Sequence, residues 1–151
     1  MGAVYFYHLT RTPVEVTLPM LLGKALDAGW RVAVRGRDQG RLEWLDEKLW
    51  LGPEEAFVPH GLSMRPHAAD QPVLLTLGEA PNDPRCVMSI DGAGVAAEEV
   101  TALERVCILF DGTDVEAVQR ARVQWKTLTD AGCSAQYWSE ESGRWEKKAE
   151  K

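Results

Sequence analysis

The sequence predicts a single α/β domain in which a mixed, mostly parallel β-sheet carries helices on both faces. Short apolar strand patterns alternate with amphipathic helix patterns, and two helix patterns end in the same Asp-Ala-Gly triplet before a strand. With 151 residues, 45 % hydrophobic and 26 % charged, the chain has the length and composition of one globular domain. We place this domain at residues 1–145 and expect the charged residues 146–151 to form a frayed tail.

The first half of the chain contains two strand patterns, each followed by a helix pattern. The first helix has a defined beginning, because Thr12 and Glu15 form a capping box and Pro13 suits the first helical position. Gly29 suits the residue at which that helix stops. The predicted order is a strand at residues 4–9, a helix from Thr12 to Gly29, a strand at 31–35 and a helix at 38–50.

The second half begins with an irregular segment and then returns to alternating elements. Residues 51–71 contain three prolines, which no regular element would tolerate at this spacing. Thr113 and Glu116 form a second capping box, which opens the last helix. The predicted order is strands at 73–77 and 87–90, a short helix at 98–103, a buried strand at 105–110, a helix that ends at Gly132, and a strand at 135–138 with a hairpin partner near Trp145.

The composition disfavours several classes of protein. A formal net charge of −6 argues against a general nucleic-acid binder, which usually carries a basic excess. No apolar run approaches the roughly 18 residues of a membrane span. The first residues show neither the basic region nor the cleavage site of a secretory signal. We therefore expect a cytoplasmic protein with no membrane contact.

The sequence also lacks the patterns that hold metals or cofactors. Cys86, Cys107 and Cys133 are far apart and lie in or beside apolar stretches, so buried, reduced thiols are expected. His60 and His67 lie in the irregular segment without a nearby cysteine. The loop after the first strand has no glycine that would let the backbone approach a pyrophosphate. These observations predict neither a metal site nor a cofactor.

Two aspartates keep an enzymatic alternative open. Asp91 and Asp111 end predicted strands, where catalytic acids often lie in open α/β sheets. A nucleotide- or metal-dependent α/β enzyme would use one of these carboxylates as a general acid or base. Against this, no nucleophile or set of metal ligands accompanies them, and Asp111 followed by Gly112 also fits a simple strand-to-helix turn.

Two other segments indicate binding rather than catalysis. A helix pattern ends at Trp50, and the irregular segment after it carries Phe57; large apolar rings in such a segment indicate a docking surface. On the last helix, Arg122, Trp125 and Lys126 project from one face, where two cations beside an indole suit an acidic peptide with an apolar end. The alternative is that Trp125 belongs to a core stripe and the two cations are its solvated edge.

Several short motifs, spread over nearly the whole chain, belong together. The most specific run from Leu45-Asp46-Glu47-x-Leu49-Trp50 to Phe57-Val58-Pro59-His60-Gly61-Leu62. The others are Phe6-Tyr7-His8-Leu9, Gly29-Trp30-Arg31-Val32, Pro72-Val73, and Ala131-Gly132 after the arginine-rich last helix. With this combination the sequence resembles the chi subunit of the bacterial DNA polymerase III holoenzyme.

The resemblance implies a Rossmann-like fold without nucleotide function, in a non-catalytic accessory subunit of the clamp-loader assembly. Such a subunit binds the acidic C-terminal tail of single-stranded DNA-binding protein, and the matching positions are Arg122, Trp125 and Lys126. A second surface, matched by Trp50 and Phe57, holds the psi subunit or another clamp-loader subunit. DNA is then reached indirectly, whereas direct binding of single strands through exposed aromatics and arginines is a third interpretation.

Overall fold

The computed structural model describes residues 2–51, 60–63, 68–78 and 80–151, which form one sheet with helices on both faces. The strands are β1 (Ala3–Leu9), β2 (Val32–Arg35), β3 (Gly61–Leu62), β4 (Val73–Thr76), β5 (Cys86–Ser89), β6 (Arg105–Asp111), β7 (Ser134–Ser139) and β8 (Glu146–Glu150). The helices are α1 (Val14–Asp27), α2 (Gln39–Trp50), α3 (Ala97–Ala102) and α4 (Val115–Asp130), with a 3₁₀ turn at Ala68–Asp70. Within the described ranges, no helix is long and apolar enough to cross a membrane.

The sheet is parallel except at one edge. Its strands lie in the order β3-β4-β2-β5-β6-β1-β7-β8, and among the described strands only β8 runs antiparallel to its neighbour, β7. β1 lies between β6 and β7 and pairs with both along its length. The predicted α/β class and the mostly parallel sheet are therefore confirmed.

Each face of the sheet has its own hydrophobic core, because side chains of a strand point alternately to its two faces. On one face, Phe6 of β1 and Ile108 of β6 pack with Leu128 of α4. On the other face, Leu109 of β6 packs in the cluster that contains Leu22 of α1 and the leucines of α2. Burial of each such side chain contributes about 1.5–3 kcal/mol. Burial on both faces explains why β6 is apolar without interruption.

The two longest helices begin one residue later than their capping boxes predict. The hydroxyl of Thr12 donates to the carboxylate of Glu140 at 3.0 Å instead of capping α1, which begins without a side-chain cap. The hydroxyl of Thr113 donates to Asp111 at 2.6 Å, and Asp114 caps α4 instead. In both cases the predicted capping hydroxyl has a carboxylate partner, so the prediction of Thr12 and Thr113 as caps is wrong.

The C-terminal residues differ from the frayed tail that the sequence predicts. Residues 146–150 form β8, which pairs with β7 from Gln136 opposite Glu150 to Ser139 opposite Glu146. The side chains of β8 are mostly exposed and charged, so no alternation of apolar residues marks the strand. Backbone hydrogen bonds to β7 hold it in place. The predicted hairpin near Trp145 is confirmed, and the Trp145 ring packs edge-on at 5.5 Å from Tyr7.

Two crossover connections leave the centre of the sheet in opposite directions. From β1, the chain passes through α1 to β2, which lies beyond β6 and β5. From β6, it passes through α4 to β7, on the other side of β1. The loops after β1 and β6 therefore meet at the carboxyl edge of the sheet, where open α/β sheets place their ligands.

Candidate interaction surfaces

A cleft of about 570 Å³ lies where the loops after β1 and β6 meet. Charged side chains of both signs line it, among them Arg11, Arg41 and Arg120 together with Asp91 and Asp111. The two aspartates that the sequence singles out at strand ends are therefore brought to the same cleft. Their partners determine what they can do there.

Both aspartates have partners that serve the local fold. Asp91 lies in a tight turn with φ of 54°, followed by Gly92 at 79°, and its Oδ2 accepts from Nε of Arg41 at 3.0 Å. Asp111 accepts from the hydroxyl of Thr113 at 2.6 Å and from its backbone N–H at 2.9 Å. These bonds hold the pKa of Asp111 below its ordinary value. A general acid or base that works near neutral pH needs a raised carboxyl pKa, so the shift is in the opposite direction.

Most histidine and cysteine side chains of the described ranges contact other parts of the protein, although Cys133, which the sequence predicts to be buried, is only half-buried. No group of three or more His, Cys, Asp and Glu residues there is placed to hold a metal ion. His60 is buried, with its Nε2 3.2 Å from Oδ1 of Asp46, while His67 lies outside the described residues. Cys86 and Cys107 are buried as predicted, and a hydrogen bond between them, together with burial, raises the pKa of the Cys86 thiol. A nucleophilic cysteine has the opposite shift.

Of the first predicted docking segment, the structure describes the end of α2 and the residue after it. Trp50, the last residue of α2, is 58 % exposed, and Leu51 after it is 73 % exposed. The Trp50 ring lies 5.3 Å from the ring of His60, which anchors one side of the indole on a buried residue. Phe57 lies outside the described residues. We call Trp50 and Leu51 the α2-end surface.

The second predicted segment lies on α4, and we call Arg122, Trp125 and Lys126 the α4 surface. Arg122 and Lys126 are exposed, and Trp125 is half-buried beside them. Nζ of Lys126 donates to Oδ2 of Asp130 at 3.0 Å. Both partners of this ion pair are more than 60 % exposed, so it contributes little to stability. The two cations thus face solvent one helical turn apart.

The Trp125 indole contacts the core with one part of its surface. Its ring centroid lies 5.3 Å from that of Phe6 on β1 and 6.0 Å from that of Tyr137 on β7, in edge-to-face arrangements. Such pairs add about 0.5–1.5 kcal/mol to simple burial. The sequence leaves open whether Trp125 belongs to a core stripe or to a surface. In the structure one part of the ring packs on the sheet and the remainder stays accessible.

Tyr137, which the sequence assigns no role, lies directly beneath the α4 surface. Its hydroxyl lies 2.6 Å from Nδ1 of His8. Burial raises the pKa of Tyr137 above its ordinary value, although the positive charge of Arg122 partly offsets this effect. Tyr137 therefore remains neutral at neutral pH and places a phenol beside Arg122. The alternation of side chains along the last strand predicts that Tyr137 faces a helix. It does not predict which residue of that helix Tyr137 contacts.

These features define an open α/β domain that presents two separate aromatic surfaces, one of them flanked by cations. Comparison with known proteins gives the family. The family model described as DNA polymerase III chi subunit, HolC, matches residues 1–136, and the chain therefore belongs to this family of DNA replication proteins.

Two curated relatives are similar over part of the chain. DNA polymerase III subunit chi of Pseudomonas aeruginosa is 38 % identical over 88 residues, which cover 56 % of this chain and 61 % of that protein. The protein described as probable DNA polymerase III subunit chi of Rickettsia prowazekii is 23 % identical over 111 residues, covering 70 % of this chain and 67 % of the relative. The matched segments thus span about three fifths to two thirds of the length of these relatives.

Alanine at position 125 tests the packing of the indole. We expect Trp125→Ala to lower the free energy of unfolding by about 2–4 kcal/mol, because it removes the contacts with Phe6 and Tyr137. Arg122→Ala, on the exposed side of the same helix, should change it by less than about 0.5 kcal/mol. Urea denaturation followed by circular dichroism measures both values. Equal stabilities of the two variants would contradict the packing described above.

Proposed function

We propose that this protein is a non-catalytic accessory subunit of the DNA polymerase III clamp-loader assembly, and that it links the replication machinery to single-stranded DNA-binding protein by binding its acidic C-terminal tail. Family membership supports the assignment to DNA polymerase III. The observation that supports the mode of binding is the pair of exposed cations, Arg122 and Lys126, beside the half-buried ring of Trp125.

The α4 surface suits both chemical parts of such a tail. Arg122 offers a planar fork of donors that matches a carboxylate, and Lys126 adds a second charge one turn away. An apolar side chain of the tail would pack on the accessible part of the Trp125 ring. Because the whole chain carries a net charge of −6, attraction for an acidic peptide has to be local.

A second contact would attach the protein to the polymerase assembly. The α2-end surface, Trp50 with Leu51, supports docking of the psi subunit or another clamp-loader subunit, since exposed apolar rings of this size are unusual away from interfaces. Phe57, which lies outside the described residues, is proposed as part of the same surface. α2 and α4 pack on opposite faces of the sheet, so both partners can be bound at once.

By binding both partners at the same time, this protein would act as a tether between them. Once one contact has formed, the second partner is present at a high effective concentration, so two weak contacts produce a stable link. DNA is reached through the binding protein rather than by this chain, in keeping with the acidic net charge. No cofactor or catalytic residue takes part, and the proposed location is the cytoplasm, where the replication machinery works.

Removing one cation tests the tail contact. Arg122→Ala should weaken binding of a synthetic acidic tail peptide about tenfold, which corresponds to about 1.4 kcal/mol. The affinity of the wild-type protein should fall as salt is raised, because exposed charge pairs are screened. The matched control is Arg85→Ala, which removes another exposed arginine just before β5. Isothermal titration calorimetry measures the affinity of each variant and its dependence on salt. Equal affinities of Arg122→Ala and Arg85→Ala would refute the assignment of Arg122.

Removing the exposed indole of α2 tests the second contact. Trp50→Ala should abolish association with the clamp-loader assembly in a pull-down and leave the affinity for the tail peptide unchanged, because α2 and α4 lie on opposite faces. Leu77→Ala is the control, since Leu77 is 50 % exposed and follows the carboxyl end of β4, whereas α2 ends near the amino ends of the strands. Retention of the assembly by Trp50→Ala would remove the α2-end surface from the proposal.

A further inference from the structure

The carboxylate of Glu140 lies in the turn between β1 and α1. Its Oε2 accepts hydrogen bonds from three consecutive backbone N–H groups, those of Thr10 at 3.1 Å, Arg11 at 3.1 Å and Thr12 at 3.0 Å. The hydroxyl of Thr12 donates to the same carboxylate at 3.0 Å. The Glu140 side chain comes from the residue directly after β7 and is only 4 % exposed. A nearly buried anion is therefore enclosed by four donors of a single loop.

This carboxylate lies at a position in the fold where other α/β domains bind an anion. In dinucleotide-binding α/β domains, backbone N–H groups of the first strand-to-helix turn and the beginning of the following helix hold a phosphate. The same turn in this chain is made by residues 10–13, and it leads into the 14-residue helix α1. The three converging N–H groups have the arrangement of an anion nest. Here that nest already contains a negative charge.

We infer that the first strand-to-helix turn is an oxyanion-binding cradle whose ligand is built into the chain, the carboxylate of Glu140. The side chain takes the place that a nucleotide phosphate has in related folds, and no glycine is needed because no pyrophosphate has to approach the backbone. The inference is independent of the proposed replication role. The residues of this turn also line the adjoining cleft at the strand ends, so the carboxylate occupies donors that an anion in the cleft would otherwise meet.

The same carboxylate joins distant parts of the chain. Glu140 lies between β7 and the turn that leads to β8, and it is 128 residues from Thr12 in sequence. Although burial raises its pKa, the hydrogen bonds from Thr12, Arg11 and Thr10 outweigh burial and hold the pKa below the ordinary value. The cradle thus favours the charged form. Glu140 also lies beyond residues 1–136, the range that matches the family model.

Deleting the carboxylate and supplying it from solution tests the cradle. Glu140→Ala removes a CH₂–COO⁻ group, which has the shape of acetate. We expect the variant to melt at least about 5 °C below the wild type, since three N–H groups lose their acceptor. Sodium acetate at neutral pH should raise its melting temperature more than sodium chloride of equal ionic strength does. Glu141→Ala is the control, because that neighbouring side chain is exposed; it reports the general salt effect and should gain less from acetate over chloride than Glu140→Ala does.

Two results would overturn the inference. One is a Glu140→Ala variant that melts with the wild type; the other is a destabilised variant that responds equally to acetate and chloride. If Glu140→Ala does not fold, Glu140→Gln decides, because it keeps the shape and removes the charge. A melting temperature below the wild type supports the anion cradle, and an equal one excludes it.

Discussion

The packing of the Trp125 indole on Phe6 and Tyr137, together with burial of Ala117, Ala121 and Leu128, fixes how α4 lies on the sheet. Phe6 lies on β1, the strand between β6 and β7, so the indole rests on the centre of the molecule. With the helix fixed in this orientation, the positions one turn apart that carry Arg122 and Lys126 have to face solvent. The core and the candidate binding surface therefore share one side chain, so a change at Trp125 affects both, whereas Arg122 and Lys126 belong to the surface alone.

Because the chain is acidic overall, the surroundings of each exposed cation decide whether it can attract an acidic ligand. Several cations in the described ranges pair with a carboxylate, as Arg35 does with Glu99 at 2.5 Å. Arg122 instead lies beside the neutral phenol of Tyr137, where no carboxylate neutralises it in the described contacts. A guanidinium in this setting keeps its charge available for a ligand. The α2-end surface, by contrast, offers apolar area and suits a partner that binds by burial.

The sequence predicts the strands and helices that have a regular apolar pattern. It does not predict contacts between residues that are far apart in the chain. The apolar run of β6 and the leucines of α2 mark their elements without ambiguity. The cap at Thr12 is wrong because its hydroxyl binds Glu140, far along the chain. The hairpin near Trp145 is predicted, but the extent of β8 through residues 146–150 is not, because backbone bonds and not an apolar pattern hold this strand. The contact between His8 and Tyr137, 129 residues apart, has no local signal either.

The proposed function depends on binding of an acidic peptide at the α4 surface. Titration of ¹⁵N-labelled protein with a synthetic acidic tail peptide, followed by nuclear magnetic resonance, tests it most directly. The account predicts shifts of backbone amides in residues 119–126, of Tyr137 on β7, and of the Trp125 indole N–H. Shifts centred on the loops at 10–13 and 111–114, or on the Trp50 indole, with none on α4, would contradict it.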